Sequence, residues 1–136
     1  MKIIVDTCVW SLALCRSKEV SNGIVAELKS LIGDFRVQLI GPIRQEILSG
    51  IKDEIQFQNL KDHLSGFADL QLKEDDYALA ARYFNICRAK GVQGSNTDFL
   101  ICAVSANHNL GIFTIDQDFQ QFSKYLPINL HIPNTQ

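Results

Sequence analysis

Three consecutive β-branched residues followed at once by an acid, Ile3-Ile4-Val5-Asp6, constrain this chain more than any other stretch. The run is too short for a helix and too apolar for an exposed strand, so it reads as a buried parallel strand. In open α/β sheets, ligands bind outside the carboxyl ends of the strands. Asp6 therefore stands where chemistry would be sited. A fold built on this strand would carry to that edge any acid placed equivalently on its neighbours.

Further strands are expected at Val37–Ile40 and Ile112–Ile115, with an edge strand at Ile128–Leu130. Between them the apolar spacing is helical. Thr7 to Leu14 reads as a short helical turn before the polar Arg16-Ser17-Lys18-Glu19. Ser21-Asn22 would cap a helix carrying Ile24, Val25, Leu28, Leu31 and Ile32, stopped by Gly33. Gly41-Pro42 opens the next, with Ile43, Ile47, Leu48 and Ile51 on one face. Another holds Ile55, Leu60 and Leu64, and Ala68 to Leu72 is an irregular or extended link. Glu74-Asp75-Asp76 sit in the first turn of a helix whose buried stripe is Tyr77, Ala80, Ala81, Phe84 and Cys87. There the three acids complement the helix dipole and have no further role. Gly91 and Gly94 end that helix.

The segment from Ser95 to about Asn109 is apolar nearly all round, which marks a central buried helix, terminated by Gly111. Phe119, Phe122 and Tyr125 suggest a short closing helix, broken by Pro127. Strands alternating with helices imply an α/β fold, a central parallel sheet of about four to five strands with right-handed crossovers. The 136 residues suit one domain over 1–136 with a sizeable core.

Composition narrows the function classes. With 46% hydrophobic and 21% charged residues the chain is globular. A net charge of −2 makes no global case for nucleic-acid binding, which would need a local basic patch. No secretory leader is expected, and no run approaches the roughly 18 apolar residues of a membrane helix. Cys8, Cys15, Cys87 and Cys102 are widely spread, so they read as reduced thiols of a cytosolic protein and not as a zinc site.

Four carboxylates stand out. Asp6 and Asp116 each follow a strand, although an aspartate there also serves as a helix N-cap. Asp98 opens the most apolar helix, in a Ser95-x-x-Asp98 pattern that a capping box alone would explain. Glu46 lies one turn into the helix after the second strand, where it could equally be a solvated glutamate paired with Arg44 or Lys52. Taken together, the four positions converge on one sheet edge. At an effective dielectric near 20, each close pair of carboxylates costs roughly 4 kcal/mol. Such a cluster persists only if some acids are protonated or a cation neutralises them. All-oxygen ligands favour Mg²⁺ or Mn²⁺ over zinc, and a hard ion in an acidic crevice implies phosphoryl chemistry.

These residues resemble a family. Ile4-Val5-Asp6-Thr7, Arg44-Gln45-Glu46-Ile47-Leu48-Ser49-Gly50, Thr97-Asp98-Phe99-Leu100-Ile101-Cys102-Ala103 and Ile112 to Phe119 occur in the order and at the separations found in PIN-domain ribonucleases. Within these, the length is similar to that of the VapC-like toxins of prokaryotic toxin–antitoxin pairs. The resemblance implies a PIN-like domain with an acidic site at the carboxyl edge of the sheet. It implies a quartet of Asp6, Glu46, Asp98 and Asp116 holding Mg²⁺ or Mn²⁺, with Asp118 as a further or second-ion ligand. Thr7 and Thr114 would orient the acids or water. The activity implied is metal-dependent hydrolysis of RNA phosphodiesters, leaving 5′-phosphate and 3′-hydroxyl ends. The implied partners are an RNA substrate, a cognate antitoxin whose arginine could plug the acidic crevice, and a second copy in a homodimer. One departure is Gly94-Ser95-Asn96-Thr97, where members often carry a small residue or proline before the third acid.

RNA contacts would fall to Arg16, Lys18 and Arg44, each of which could also be ordinary surface charge. Trp10 reads as core or subunit interface. His63, His108 and His131 share no motif, and the proposed chemistry needs no histidine. Two other readings compete. A phosphatase or phosphotransfer domain could use Asp6 as acceptor, but the dehalogenase-type pattern wants an aspartate where Cys8 stands. A non-catalytic PIN-like binding module would be expected to lack one of the acids.

Overall fold

The computed structural model describes residues 1–14 and 22–134. Its centre is β1 (Ile3–Val5), all three residues of which are buried. β2 (Val37–Gln38) and β3 (Gly111–Phe113) flank it in a parallel sheet of order β2-β1-β3. Ile3 pairs with Val37 and Gly111, Ile4 with Gln38 and Ile112, and Val5 with Phe113. Helices cover the sheet, which explains the unbroken β-branched run: a strand buried on both faces needs no polar alternation. Gly111 fits because it has no side chain; a Cβ there would lie 2.7 Å from Ile3 Cδ1.

The sheet is narrower than expected. Among the described residues, the three strands are extended only by two isolated parallel bridges, Leu39 to Asp69 on one side and Ile112 to Leu130 on the other. The expected edge strand at Ile128–Leu130 is reduced to this single bridge. Pro127 and Pro133 flank it and lack the N–H that a longer ladder would use. β2 is likewise short, because Gly41-Pro42 turns the chain into a helix.

Seven helices are present among the described residues: α1 (Thr7–Leu14), α2 (Asn22–Gly33), α3 (Gly41–Leu48), α4 (Glu54–Leu64), α5 (Glu74–Ala89), α6 (Asn96–His108) and α7 (Asp118–Phe122). In α6, seven consecutive residues from Phe99 to Ser105 are buried, as its all-round apolar surface requires. Asn109 ends α6 in the left-handed conformation at φ 55°, so Gly111 opens β3 and does not terminate the helix. None of these helices is long and apolar enough to cross a membrane.

Several expected core positions are displaced. Ile55 is 72% exposed, and α4 packs through Leu64 and Leu60. On α5, Tyr77 is 53% exposed and Ala81 is also exposed, while Tyr83 is buried. The observed stripe is Asp76, Ala80, Tyr83 and Cys87. Its first member is an acid, so a periodicity counted over apolar residues starts one position late. Ile51 lies beyond the end of α3, and Tyr125 lies beyond α7 and is exposed. Trp10 is buried and meets Phe67 edge-on at 5.5 Å. Cys8, Cys87 and Cys102 are free thiols. The expected polar turn Arg16 to Glu19, the cap at Ser21 and Cys15 lie outside the described residues.

Candidate active site

The parallel sheet delivers Asp6 and Thr114 side by side. Val5 pairs with Phe113, so the residue after each strand reaches the same carboxyl edge. Thr114 Oγ1 donates to Asp6 Oδ2 at 2.8 Å. Cys8 Sγ donates to the same oxygen at 3.4 Å, and the Thr7 N–H donates to Oδ1 at 2.8 Å. Asp6 is only 7% exposed. Burial raises its carboxyl above the ordinary range; the Thr114, Cys8 and Thr7 bonds oppose that without reversing it, and the charge of Asp116 adds to it.

Asp116 is held by the same hydroxyl, its N–H donating to Thr114 Oγ1 at 3.0 Å. Asp116 Oδ1 in turn accepts the Asp118 N–H at 2.9 Å, at the start of α7. Asp98 arrives from α6. The capping box is present: Ser95 Oγ accepts the Asp98 N–H at 3.1 Å, and Asp98 Oδ2 accepts the Ser95 N–H at 3.0 Å. The same aspartate also faces the acids. Burial raises its carboxyl, Ser95 opposes this, and the charges of Asp6 and Asp116 raise it further. The capping and cluster readings of Asp98 are therefore compatible.

Glu46 joins through Thr7, whose Oγ1 donates to Glu46 Oε1 at 2.6 Å. α1 starts directly after Asp6, so Thr7 ties α3 to the acidic edge. Glu46 makes no ion pair with Arg44. That guanidinium chelates Asp69 at 3.0–3.1 Å and also donates to the carbonyls of Leu64 and Phe67. Arg44 is thus committed to joining α3 with the end of α4 and is not a free basic residue beside the site. Arg16 and Lys18 lie outside the described residues.

No three His, Cys, Asp or Glu side chains among the described residues are already gathered closely enough to hold an ion. The donor set nevertheless fits a hard divalent cation. It is all oxygen, burial makes both Asp6 and Asp98 less acidic, with neighbouring acids adding to the effect, and no ion pair among the described residues engages Asp6, Glu46, Asp98 or Asp116. The histidines are used elsewhere. His63 bonds the Asn59 carbonyl, His108 pairs with Asp76, and His131 pairs with Glu27 at 2.6 Å.

Cys8 is a member of the cluster that sequence reasoning missed. Its position two residues after Asp6, in the first turn of α1, is the available signal. Asp76 was missed as a buried structural acid, because its helix-dipole role was already sufficient.

The model of the PIN domain family matches residues 3–125. A search of curated proteins finds no match. Among solved structures, the chain is similar to FitAcB from Neisseria gonorrhoeae, with TM-score 0.77 and 23% identity over 96% of this chain and 97% of that one. It is similar to VapBC2 from Rickettsia felis, bound in that structure to a DNA fragment from their promoter (TM-score 0.75, 18% identity, 96% and 98% covered). A toxin–antitoxin complex from Klebsiella pneumoniae is similar at TM-score 0.62 and 19% identity, over 87% and 90% of the two chains. With the family's pattern running from β1 to the turn after α7, this chain belongs to the PIN-domain family.

Proposed function

We propose that this protein is a metal-dependent endoribonuclease and the toxin of a toxin–antitoxin pair, working in the cytoplasm. The observation that carries the reading is that Asp6, Asp98 and Asp116 share one sheet edge, where the charge of Asp116 raises the Asp6 carboxyl and the charges of Asp6 and Asp116 raise that of Asp98, with Glu46 tied in through Thr7. In this reading Asp6, Glu46, Asp98 and Asp116 hold Mg²⁺ or Mn²⁺, and Asp118 supports them. Bound there, the ion would make water a competent nucleophile and offset the charge developing on the phosphate.

The chain's own residues have distinct parts. Thr114 and Cys8 fix the rotamer of Asp6 by donating to one oxygen. Thr114 also anchors the Asp116 backbone, so one hydroxyl sets the spacing of two acids. Ser95 locks Asp98 through Oδ2. Thr7 holds Glu46 at the mouth, where the glutamate is exposed. Pre-set carboxylates lose little freedom when a cation arrives. The toxin role draws support from the family and from the solved neighbours, one of which is itself a toxin–antitoxin complex. A homodimer and an antitoxin whose basic side chain enters the crevice belong to the same reading.

The test is incubation of the purified protein with structured and unstructured RNA in Mn²⁺ or Mg²⁺, then with EDTA, beside Asp98→Asn. The expected result is cleavage that needs metal and is lost in the variant. Hydrolysis of phosphomonoesters instead would favour the phosphatase reading. RNA binding by metal-loaded, antitoxin-free protein without any cleavage would favour a binding module.

A further inference from the structure

A cavity of about 260 Å³ is formed where α5 ends and the chain turns toward α6. Phe84, Arg88, Val92, Gln93, Gly94 and Phe99 line it. We propose that this pocket is a nucleobase subsite, holding an unstacked base of the strand being cut. The proposal rests on the ribonuclease reading and deepens it by naming how the substrate is gripped.

The wall of the pocket is aromatic. Phe84 meets Phe99 edge-on at 5.5 Å, and Phe99 leans on Phe122 at 4.8 Å. The Arg88 guanidinium stands over the Phe84 ring, 5.9 Å from its centroid, and has no acidic partner among the described residues. Aromatic rings and guanidinium planes both stack on bases. Gln93, exposed at the rim, supplies an amide that can both donate to and accept from a base edge. Gly94 makes the pocket possible. A Cβ there would lie 2.6 Å from Phe122 Cζ and 3.0 Å from Phe99 Cε2, so only glycine lets the chain pass this close to the rings.

Two links run from the pocket toward the acids. Val92 and Gln93 also line a second cavity of about 500 Å³, whose other wall is Asp118 and Gln121. Asp118 is bonded through its N–H to Asp116. In the other direction, Gly94 is followed by Ser95, the residue that caps α6 and locks Asp98. A strand with its phosphate at the acids can therefore lay a flanking base against Phe84 and Arg88. Charge favours this mode of grip. In a chain of net charge −2 with an acidic edge, phosphate contacts alone give little attraction, whereas stacking is indifferent to that charge.

The experiment uses Asp98→Asn protein with Mg²⁺ and a fluorescein-labelled single-stranded RNA of mixed sequence. The same RNA is then made with one abasic site at successive positions, and binding is read by fluorescence anisotropy. The expected result is that losing the base at one position weakens binding about 5- to 100-fold, the range of a lost base–aromatic stack. Adding Arg88→Gln, Phe84→Leu or Gln93→Ala should reduce that penalty to about twofold or less. Circular dichroism confirms that each variant is folded.

An abasic penalty of the same size in every variant overturns the subsite. So does full restoration by Arg88→Lys, which would mark a plain charge contact with phosphate. Wild-type cleavage of RNA together with a flat abasic profile sinks the subsite alone. Absence of both cleavage by the wild type and RNA binding by Asp98→Asn sinks the ribonuclease reading, and the subsite with it.

Discussion

Asp76 and Asp98 occupy the same place in two successive helices and come to opposite ends. Each is the third residue of its helix and accepts the N–H of the residue three before it at 3.0 Å, Lys73 for Asp76 and Ser95 for Asp98. Asp76 is the more buried, at 2% exposure. Burial works against its ionisation, yet hydrogen bonds from Asn107, Lys73 and His108 overcome it and hold the carboxyl below the ordinary range. Asp98 faces acids where Asp76 faces donors, and its carboxyl is held above that range. A buried carboxylate surrounded by donors is a structural tie between α5 and α6. One whose charged neighbours are other carboxylates is costly, as the proposed cation site would require.

The sharpest way to break this comparison is to remove each acid in turn. Asp98→Asn keeps the capping hydrogen bond but loses a charge, so RNA cleavage should fall by about a hundredfold or more, beyond the cost of losing a supporting contact. Urea unfolding of the metal-free variant should show stability unchanged or slightly raised, since a repulsion has gone. Asp76→Ala should do the reverse. It leaves Asn107 and His108 without their acceptor and should cost about 1–3 kcal/mol in urea, with cleavage per folded molecule near wild type. Equal losses of activity in both variants would erase the distinction.

Thr114→Val comes next in size. It removes the donor that holds Asp6 and the acceptor that anchors the Asp116 N–H. A loss of about 10- to 100-fold in cleavage is expected, recovered in part at higher Mn²⁺. Kinetics at two metal concentrations would check it.

The smallest effect is on pH dependence. Asp6 and Asp98 have folded values raised above 3.8, so the stability they contribute is full below 3.8 and is lost as pH rises through their folded values. Asp76 has a folded value lowered below 3.8, so its contribution is full above 3.8 and is lost as pH falls through that lower value. Metal-free protein should therefore lose some stability as pH rises from 3.8 through the raised values, and Asp98→Asn should flatten that slope. A slope unaffected by the substitution would place the strain elsewhere.

Much of this was legible in the sequence, for identifiable reasons. β1 was readable because a strand buried on both faces leaves an unbroken apolar run, and α6 because a helix buried all round does the same. The candidate acids stand out because each lies just after a strand, in the helix that follows one, or at the start of a core helix. The α5 stripe was misread because its first member is Asp76, and only the far partners Asn107 and His108 reveal that an acid belongs there. The ties of Arg44 are hidden for the same reason: its partners come from 20 to 25 residues away. Thr114 stands out by its place after β3 and Cys8 lies two residues from Asp6, but the bonds of Thr114 to Asp6 and to Cys8 span 108 and 106 residues. Local spacing carries no information about such pairings.

The most direct test of the central claim is a calorimetric Mn²⁺ titration of wild type, Asp98→Asn and Asp76→Asn. Wild type and Asp76→Asn should bind Mn²⁺ alike, while Asp98→Asn should bind it at least about tenfold more weakly. Undiminished Mn²⁺ binding by Asp98→Asn would contradict that claim.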